Sequence, residues 1–425
     1  MAENPTVLVS QSKSQVGLLA EDTISRLQFQ AQADRDRAEF SLNHIAIQPG
    51  QTRMLRWAIY PMQDTDYFAF INQIRRDWES NFTVFGPWDF FDVTTHSELL
   101  HNPVGVQNFE PLRAPEGRYV YELYYRGKKR DFSMMAILVY AAPGNELMNY
   151  WLDQAHFMME EVGLDGIYID QFSLAFTTTP DYSEPTKVSQ RYSYDRWDGL
   201  TVDIDPATGK IIRRYTDGAF VGVGVRKALM EYVLSQGGIM VANTHCAVEE
   251  LQSVPVIRFM EAEWVFDPLK IGRGEEPPLH QRTCRGQLDS PVVLGFRPER
   301  LGEEGQRNYA EVIMKSVITY LRHGLLWYHY DTDIPESGGG SGEFGPINRL
   351  FPLTPVELHK GWVLGKERII SCVSVDTLWE QEGEPAVRVF DLSGREKDSG
   401  DCCRIEKEGG KWRISLRLED WQEIA

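Results

Sequence analysis

Apolar positions in this chain change spacing in a recurring order. Between Asp64 and Trp78 they fall at Phe68, Ile71, Ile74 and Trp78, the stripe of an amphipathic helix. Asn81 to Phe85 then reads as a strand that stops at Gly86-Pro87. Ser133 to Tyr140 is almost uniformly apolar, as in a strand buried on both faces. A turn at Pro143-Gly144, a cap at Asn145 and an inner stripe of Leu147, Trp151, Gln154/Ala155 and Met158 predict a helix that ends at Gly163. Asp165 to Asp170 is the next strand, so this region reads as one β-α-β unit, the building block of a parallel sheet.

The order then returns. A helix over about 218–236, with Val225, Leu229 and Val233 inward, precedes a strand at 239–243. Further strands follow at 256–261, 291–296 and 324–330, the last after a helix over about 305–322. With 81–85, 134–140 and 165–170 these make seven, and an eighth is placed within 98–131. The predicted fold is α/β, a TIM (β/α)8 barrel over residues 61–345. Thr201 to Tyr215, turning at Pro206 to Gly209, predicts a β-hairpin inserted near 198–217. Tyr192, Tyr194, Asp195, Arg196, Trp197 and Asp198 flank it. A hairpin in a loop after a barrel strand lands on the active face, so this cluster reads as a wall of a binding cleft. An ordinary surface hairpin is the alternative.

Both flanks are β-rich. In residues 1–60, Arg26 to Ala33 alternates, Phe40 to Ile47 offers a second strand, and Met54 to Tyr60 a third, stopped by Pro61. These strands read as the remnant of a β-sandwich or as a sheet packed on the barrel. Ser337 to Gly342 is a flexible stretch. Beyond it, residues 346–425 carry strands at Trp362–Gly365, Arg368–Ser374, Ala386–Asp391 and Lys411–Arg417, a small antiparallel β-sandwich domain.

Charge narrows the partners. With 62 acidic against 44 basic residues the net charge is −18, which argues against nucleic acid and anionic membranes and suits a neutral or cationic ligand. The five cysteines are sparse, and the adjacent Cys402 and Cys403 lack zinc-knuckle spacing, so neither a disulfide framework nor a zinc site is implied. The N-terminus has no basic segment followed by a long apolar one, and no run of about 18 apolar residues occurs. The chain as it stands reads as soluble and cytoplasmic, or extracellular if it has been shortened at the N-terminus.

Acids dominate the ends of the predicted strands: Asp89, Asp92, Asp170, Glu261, Glu263, Asp331 and Asp333. No GxGxxG, P-loop, GxSxG or HExxH sequence accompanies them. What remains is a cofactor-free reaction run by carboxylates, and glycoside hydrolysis is the main such chemistry. By strand period Gly166, Tyr168 and Asp170 share one face, and Phe259, Glu261 and Glu263 share another. Glu263 lies nearer its strand's end beside Trp264, an apolar neighbour that raises a carboxyl's pKa as a general acid requires. Glu261 lies deeper. Trp88, Asp89, Tyr168, Asn243, His245, Trp197 and Arg297 are the candidates for holding substrate. Each has a structural alternative. Asp170 could cap the next helix, and the glutamates could pair with Arg258 or Arg297. Asp331 and Asp333 alone make no convincing metal site.

In this layout Gly-Ile-Tyr-Ile-Asp170 and Phe-Met-Glu261-Ala-Glu263 resemble retaining glycoside hydrolases of the α-galactosidase/α-glucosidase type, over about residues 54–425. The resemblance implies a (β/α)8 barrel, a nucleophilic Asp ending strand four, an acid/base carboxyl near strand six and a C-terminal β-domain, with no cofactor. On this chain it makes Asp170 the nucleophile and Glu263 or Glu261 the acid/base, a Glu where those families mostly use Asp. The expected activity is hydrolysis of O-glycosidic bonds in a carbohydrate, with retention. Two alternatives stay open: a non-catalytic carbohydrate-binding or structural barrel, and a metal-dependent barrel hydrolase or aldolase.

Overall fold

A computed structural model describes residues 4–34, 37–86, 117, 121–126, 131–137, 142–169, 172, 192–262, 270, 275, 285–295, 303, 309–328, 347, 349–400 and 402–425. They fall into two compact units, Met1–Thr65 with Val93–Val254, and Asp66–Asp92 with Pro255–Ala425. Among the described residues the helices are, in chain order, α1 (Thr23–Gln28), α2 (Tyr67–Asp77), α3 (Glu146–His156), α4 (Gly218–Val221), α5 (Val223–Ser235) and α6 (Tyr309–Leu321). None of the described helices is long and apolar enough to cross a membrane.

The first unit opens with β1 (Thr6–Gln11) and β2 (Ser14–Ala20), joined by β5 (Trp57–Met62) in an antiparallel sheet of order β1-β2-β5. Pro61 does not stop β5 at Tyr60 as expected. The strand lies at the sheet's edge, where a missing N–H costs no ladder bond. The alternating run Arg26 to Ala33 is likewise only half a strand. Asp22 accepts from the Ser25 amide at 3.0 Å and starts α1 instead, leaving β3 (Gln30–Ala33) to pair with β4 (Ala38–Ser41). The run expected at 133–140 is β7 (Asp131–Ile137), and its described pairing is antiparallel, with β6 (Tyr121–Arg126).

Asn145 caps α3 through the Met148 amide, at 3.0 Å. A π-helical turn over Phe157–Val162 follows, closed by Gly163 at φ 81°. Next comes β8 (Gly166–Ile169). Two short antiparallel pairs then form, β9 (Tyr192–Ser193) with β12 (Thr216–Asp217), and β10 (Val202–Ile204) with β11 (Ile211–Arg214). The second pair is the expected hairpin. α5 buries the expected stripe of Val225, Leu229 and Val233, and packs on α3 and on β13 (Ile239–Asn243). β8 and β13 run parallel, with Gly166 opposite Ile239 and Ile169 opposite Ala242. A Cβ on Gly166 would stand 2.1 Å from the Ile239 carbonyl oxygen, so only glycine allows this approach.

In the second unit α2 is capped by Asp66, whose carboxylate accepts from Phe68 N–H at 3.0 Å, and it buries Phe68, Ile71 and Ile74. The strand expected at 81–85 is reduced to one antiparallel bridge, Val84 to Leu353. β14 (Ile257–Glu261), β15 (Val292–Leu294) and β16 (Leu326–Tyr328) are parallel neighbours, with α6 packed on β16. A buried polar network ties their starts together. Arg258 pairs with Asp289 at 3.0 Å, and the Ser290 hydroxyl accepts from the Arg258 amide and donates to the Val256 carbonyl. Arg75 of α2 reaches the carbonyls of Gln287, Asp289 and Ser80. The partners of the buried Arg75 guanidinium are these three backbone carbonyls and the Asn81 side-chain oxygen, at 2.9 Å from Nε, and such pairing is the condition under which a buried cation is tolerated.

The chain ends in three small antiparallel sheets. The first is β17 (Pro355–His359), β18 (Trp362–Gly365) and β19 (Ile369–Ser371) in that order. The others are built from β20 (Val375–Trp379), β21 (Val389–Asp391), β22 (Glu396–Lys397), β23 (Cys403–Glu408), β24 (Lys411–Leu416) and β25 (Glu423–Ile424), in the orders β20-β24-β23 and β22-β21-β25.

Candidate functional site

The parallel pair β8 and β13 ends in an unusual group of residues. Asn243 closes β13, and Thr244, His245 and Cys246 follow it, all four buried. Thr244 holds φ at 95°, in the left-handed region that a β-branched residue reaches only under constraint. The Cys246 thiol donates to the Val248 carbonyl at 3.0 Å. A polar, buried, strained strand end is a poor way to build a core, and such strain gathers where a site needs a fixed geometry.

On the β8 side the chain passes from Ile169 to Asp170, which lies outside the described residues. Two positions later Phe172 is held by both of its backbone groups. Its amide donates to the Asn243 carbonyl at 3.0 Å, and its carbonyl accepts from Arg226 Nε. Arg226, on α5, also donates to the Ala219 carbonyl at 3.2 Å, and its guanidinium lies 5.9 Å from the centre of the Phe172 ring. Burial lowers the Arg226 pKa to about 10, against the upward pull of Asp217 and Cys246. Asp217 is itself buried and caps α4 through the Ala219 amide, at 2.9 Å. No sequence motif marks Arg226 or Thr244. The one legible hint was Asp217 before Gly218-Ala219, a helix-start signal.

Of the candidates for holding substrate, Asn243 and His245 are therefore brought together at one strand end, and Tyr168 sits half-buried on β8 opposite Val241. Trp197 flanks the hairpin. Its indole N–H donates to the Thr201 carbonyl at 2.9 Å, and the Arg214 guanidinium stands 4.7 Å over its ring. Around it the aromatic cluster packs on itself. Tyr192 and Tyr215 meet edge to face at 4.7 Å, Tyr194 lies 5.8 Å from Tyr215, and the Tyr215 hydroxyl donates to Asp203 at 3.2 Å. Burial, then the Asp203 charge, pushes the Tyr215 hydroxyl far above its ordinary pKa of 10.0, so it stays a donor. His44 Nδ1 reaches the same carboxylate at 3.3 Å and Arg213 at 3.8 Å. Much of the polarity that marked this hairpin in sequence is spent holding it in shape.

In the second unit Glu261 is the last residue of β14, half-buried and opposite Leu294 of β15, while Phe259, two residues earlier, is buried. Arg258, named above as a partner for the glutamates, pairs with Asp289. Trp88, Asp89, Asp170, Glu263 and Arg297 lie outside the described residues, as do Asp92, Trp264, Asp331 and Asp333. Among the described residues no group of three or more His, Cys, Asp or Glu side chains could hold a metal ion, and Cys246, Cys372, Cys402 and Cys403 are free thiols.

No protein-family model matches the chain. No curated protein matches it. Among solved structures, a cycloalternan-degrading enzyme from Trueperella pyogenes in complex with isomaltose is similar, at a TM-score of 0.36 and 11% identity, over 98% of this chain and 73% of that one. A likeness of that degree carries neither a fold nor an activity over to this chain.

Proposed function

We propose that this protein is a glycoside hydrolase that cleaves an O-glycosidic bond with a pair of carboxylates on a (β/α)8 barrel, with retention. Asp170 is the nucleophile, and Glu263, or failing it Glu261, is the acid/base. The observation that carries the reading is the surroundings of residue 170. A parallel strand runs up to Ile169, and Phe172 beyond it is tied to Asn243 and Arg226. A nucleophile needs such anchorage on both sides, because a misplacement of about 1 Å costs roughly a hundredfold in rate.

In the first step the Asp170 carboxylate attacks the anomeric carbon as the glutamic acid gives its proton to the departing oxygen, so the leaving group departs as an alcohol. In the second the glutamate takes a proton from water, whose oxygen attacks the same carbon and releases Asp170. In this reading Asn243 and His245 hydrogen-bond sugar hydroxyls, and Tyr168 offers a ring face.

A panel of neutral aryl α- and β-glycosides tests the reading. The wild type is expected to hydrolyse at least one of them. Asp170→Asn is expected to lower kcat/KM by about three orders of magnitude or more, the scale seen when a group acting in the transition state is removed. Hydrolysis unchanged in Asp170→Asn sinks the assignment, and a wild type that binds sugars but cleaves none leaves a carbohydrate-binding protein.

A further inference from the structure

The register of the β1-β2-β5 sheet sorts its side chains by face. On β2, Gln15, Gly17 and Leu19 point one way and are buried. Their neighbours on β5, Ala58, Tyr60 and Met62, are at least half covered. Val16, Leu18 and Ala20 point the other way, beside Val7 and Val9 of β1 and Trp57, Ile59 and Pro61 of β5. Trp57 and Ile59 are each 68% exposed, Val9 45% and Val16 42%. None of these eight residues is charged, and Gln11 and Ser14 add polar side chains at the β1–β2 turn. This is one contiguous apolar surface on the order of 500 Å², the size at which such patches mark interaction sites.

Its chemistry restricts what can cover it. A sugar needs donors and acceptors around the indole, and Trp57 has only aliphatic neighbours in register. A charged partner needs countercharge, which the face lacks. Its relief is uneven. The bulky residues stand on β5, whereas Ala20, opposite Trp57, is buried and the β1–β2 side is lined by valines. Rotating one copy by a half-turn lays the tall β5 row over the low β1–β2 rows of another, and symmetry supplies the reciprocal contact. Counting both copies, the contact removes roughly 1,000 Å², the lower bound for a specific interface. Two chains of net charge −18 repel each other, and an uncharged face is where they approach at least cost.

We propose that this face is the contact between two copies of the chain, packed sheet on sheet about a two-fold axis. Sedimentation velocity of the full chain, up to about 100 μM, tests it. The wild type is expected to sediment as a dimer whose dissociation constant falls as salt screens the mutual repulsion. Ile59→Lys, on the tall row, and Val9→Lys, on the low one, are each expected to give monomers with unchanged circular dichroism and thermal midpoint. A wild type that is monomeric throughout overturns the proposal. So does a dimer that survives both substitutions, or an assembly larger than two.

Discussion

Thr244 stands at φ 95° between two buried polar residues, where β13 hands over to its loop. A conformation of that kind costs about 1–3 kcal/mol and persists only where its surroundings impose it. Thr244→Gly removes the strain, and is expected to raise stability in urea by about 1 kcal/mol while lowering glycosidase kcat/KM. A variant that is more stable and equally active would show the strain to be incidental. Glu367 offers a pH test at the same scale. Burial alone would raise its pKa, but the Thr354 amide at 2.6 Å and hydroxyl at 2.7 Å hold it below the ordinary 4.5. The folded state thus binds this proton less readily than the unfolded chain does. The stability it contributes is present above about pH 4.5 and is lost as the pH falls through the folded value. Urea melts of Glu367→Gln are expected to show a flatter acid limb than wild type, and an identical limb would contradict the assignment.

At the scale of elements the close approach of β8 and β13 is the sharpest constraint. Gly166→Ala puts a methyl group 2.1 Å from the Ile239 carbonyl oxygen, against backbone that cannot swing aside. The expected cost is about 3 kcal/mol, read as a lower thermal midpoint and loss of any glycosidase activity. A fully stable Gly166→Ala would mean that the pair sits further apart than described. Here the sequence was most legible: Gly163 as a stop, Asn145 as a cap, the Val225–Leu229–Val233 stripe and the strands near 166, 239, 257, 292 and 326 follow from period and capping alone. It misled where a local bond outweighed a pattern. The Asp22 cap turned half of an alternating run into α1, and an edge position let β5 continue through Pro61. β7 was legible as a strand, but strand periodicity says nothing about the partner, and its described partner β6 is antiparallel. In the candidate site, Asn243 and His245 were legible from their place after an apolar strand. Arg226 was not, because its contacts are to backbone carbonyls distant in sequence.

For the molecule as a whole, the net charge of −18 and the acids at predicted strand ends point the same way, toward a neutral substrate handled by carboxylates. The proposed nucleophile is Asp170, attacking the anomeric carbon. Its most direct test is to react the protein with a fluorinated glycosyl fluoride, which forms the glycosyl-enzyme quickly and releases it slowly, and then to digest it and weigh the peptides. One added glycosyl group is expected, on the peptide that carries Asp170, and none on Asp170→Asn. A stable adduct on any other carboxylate would contradict it.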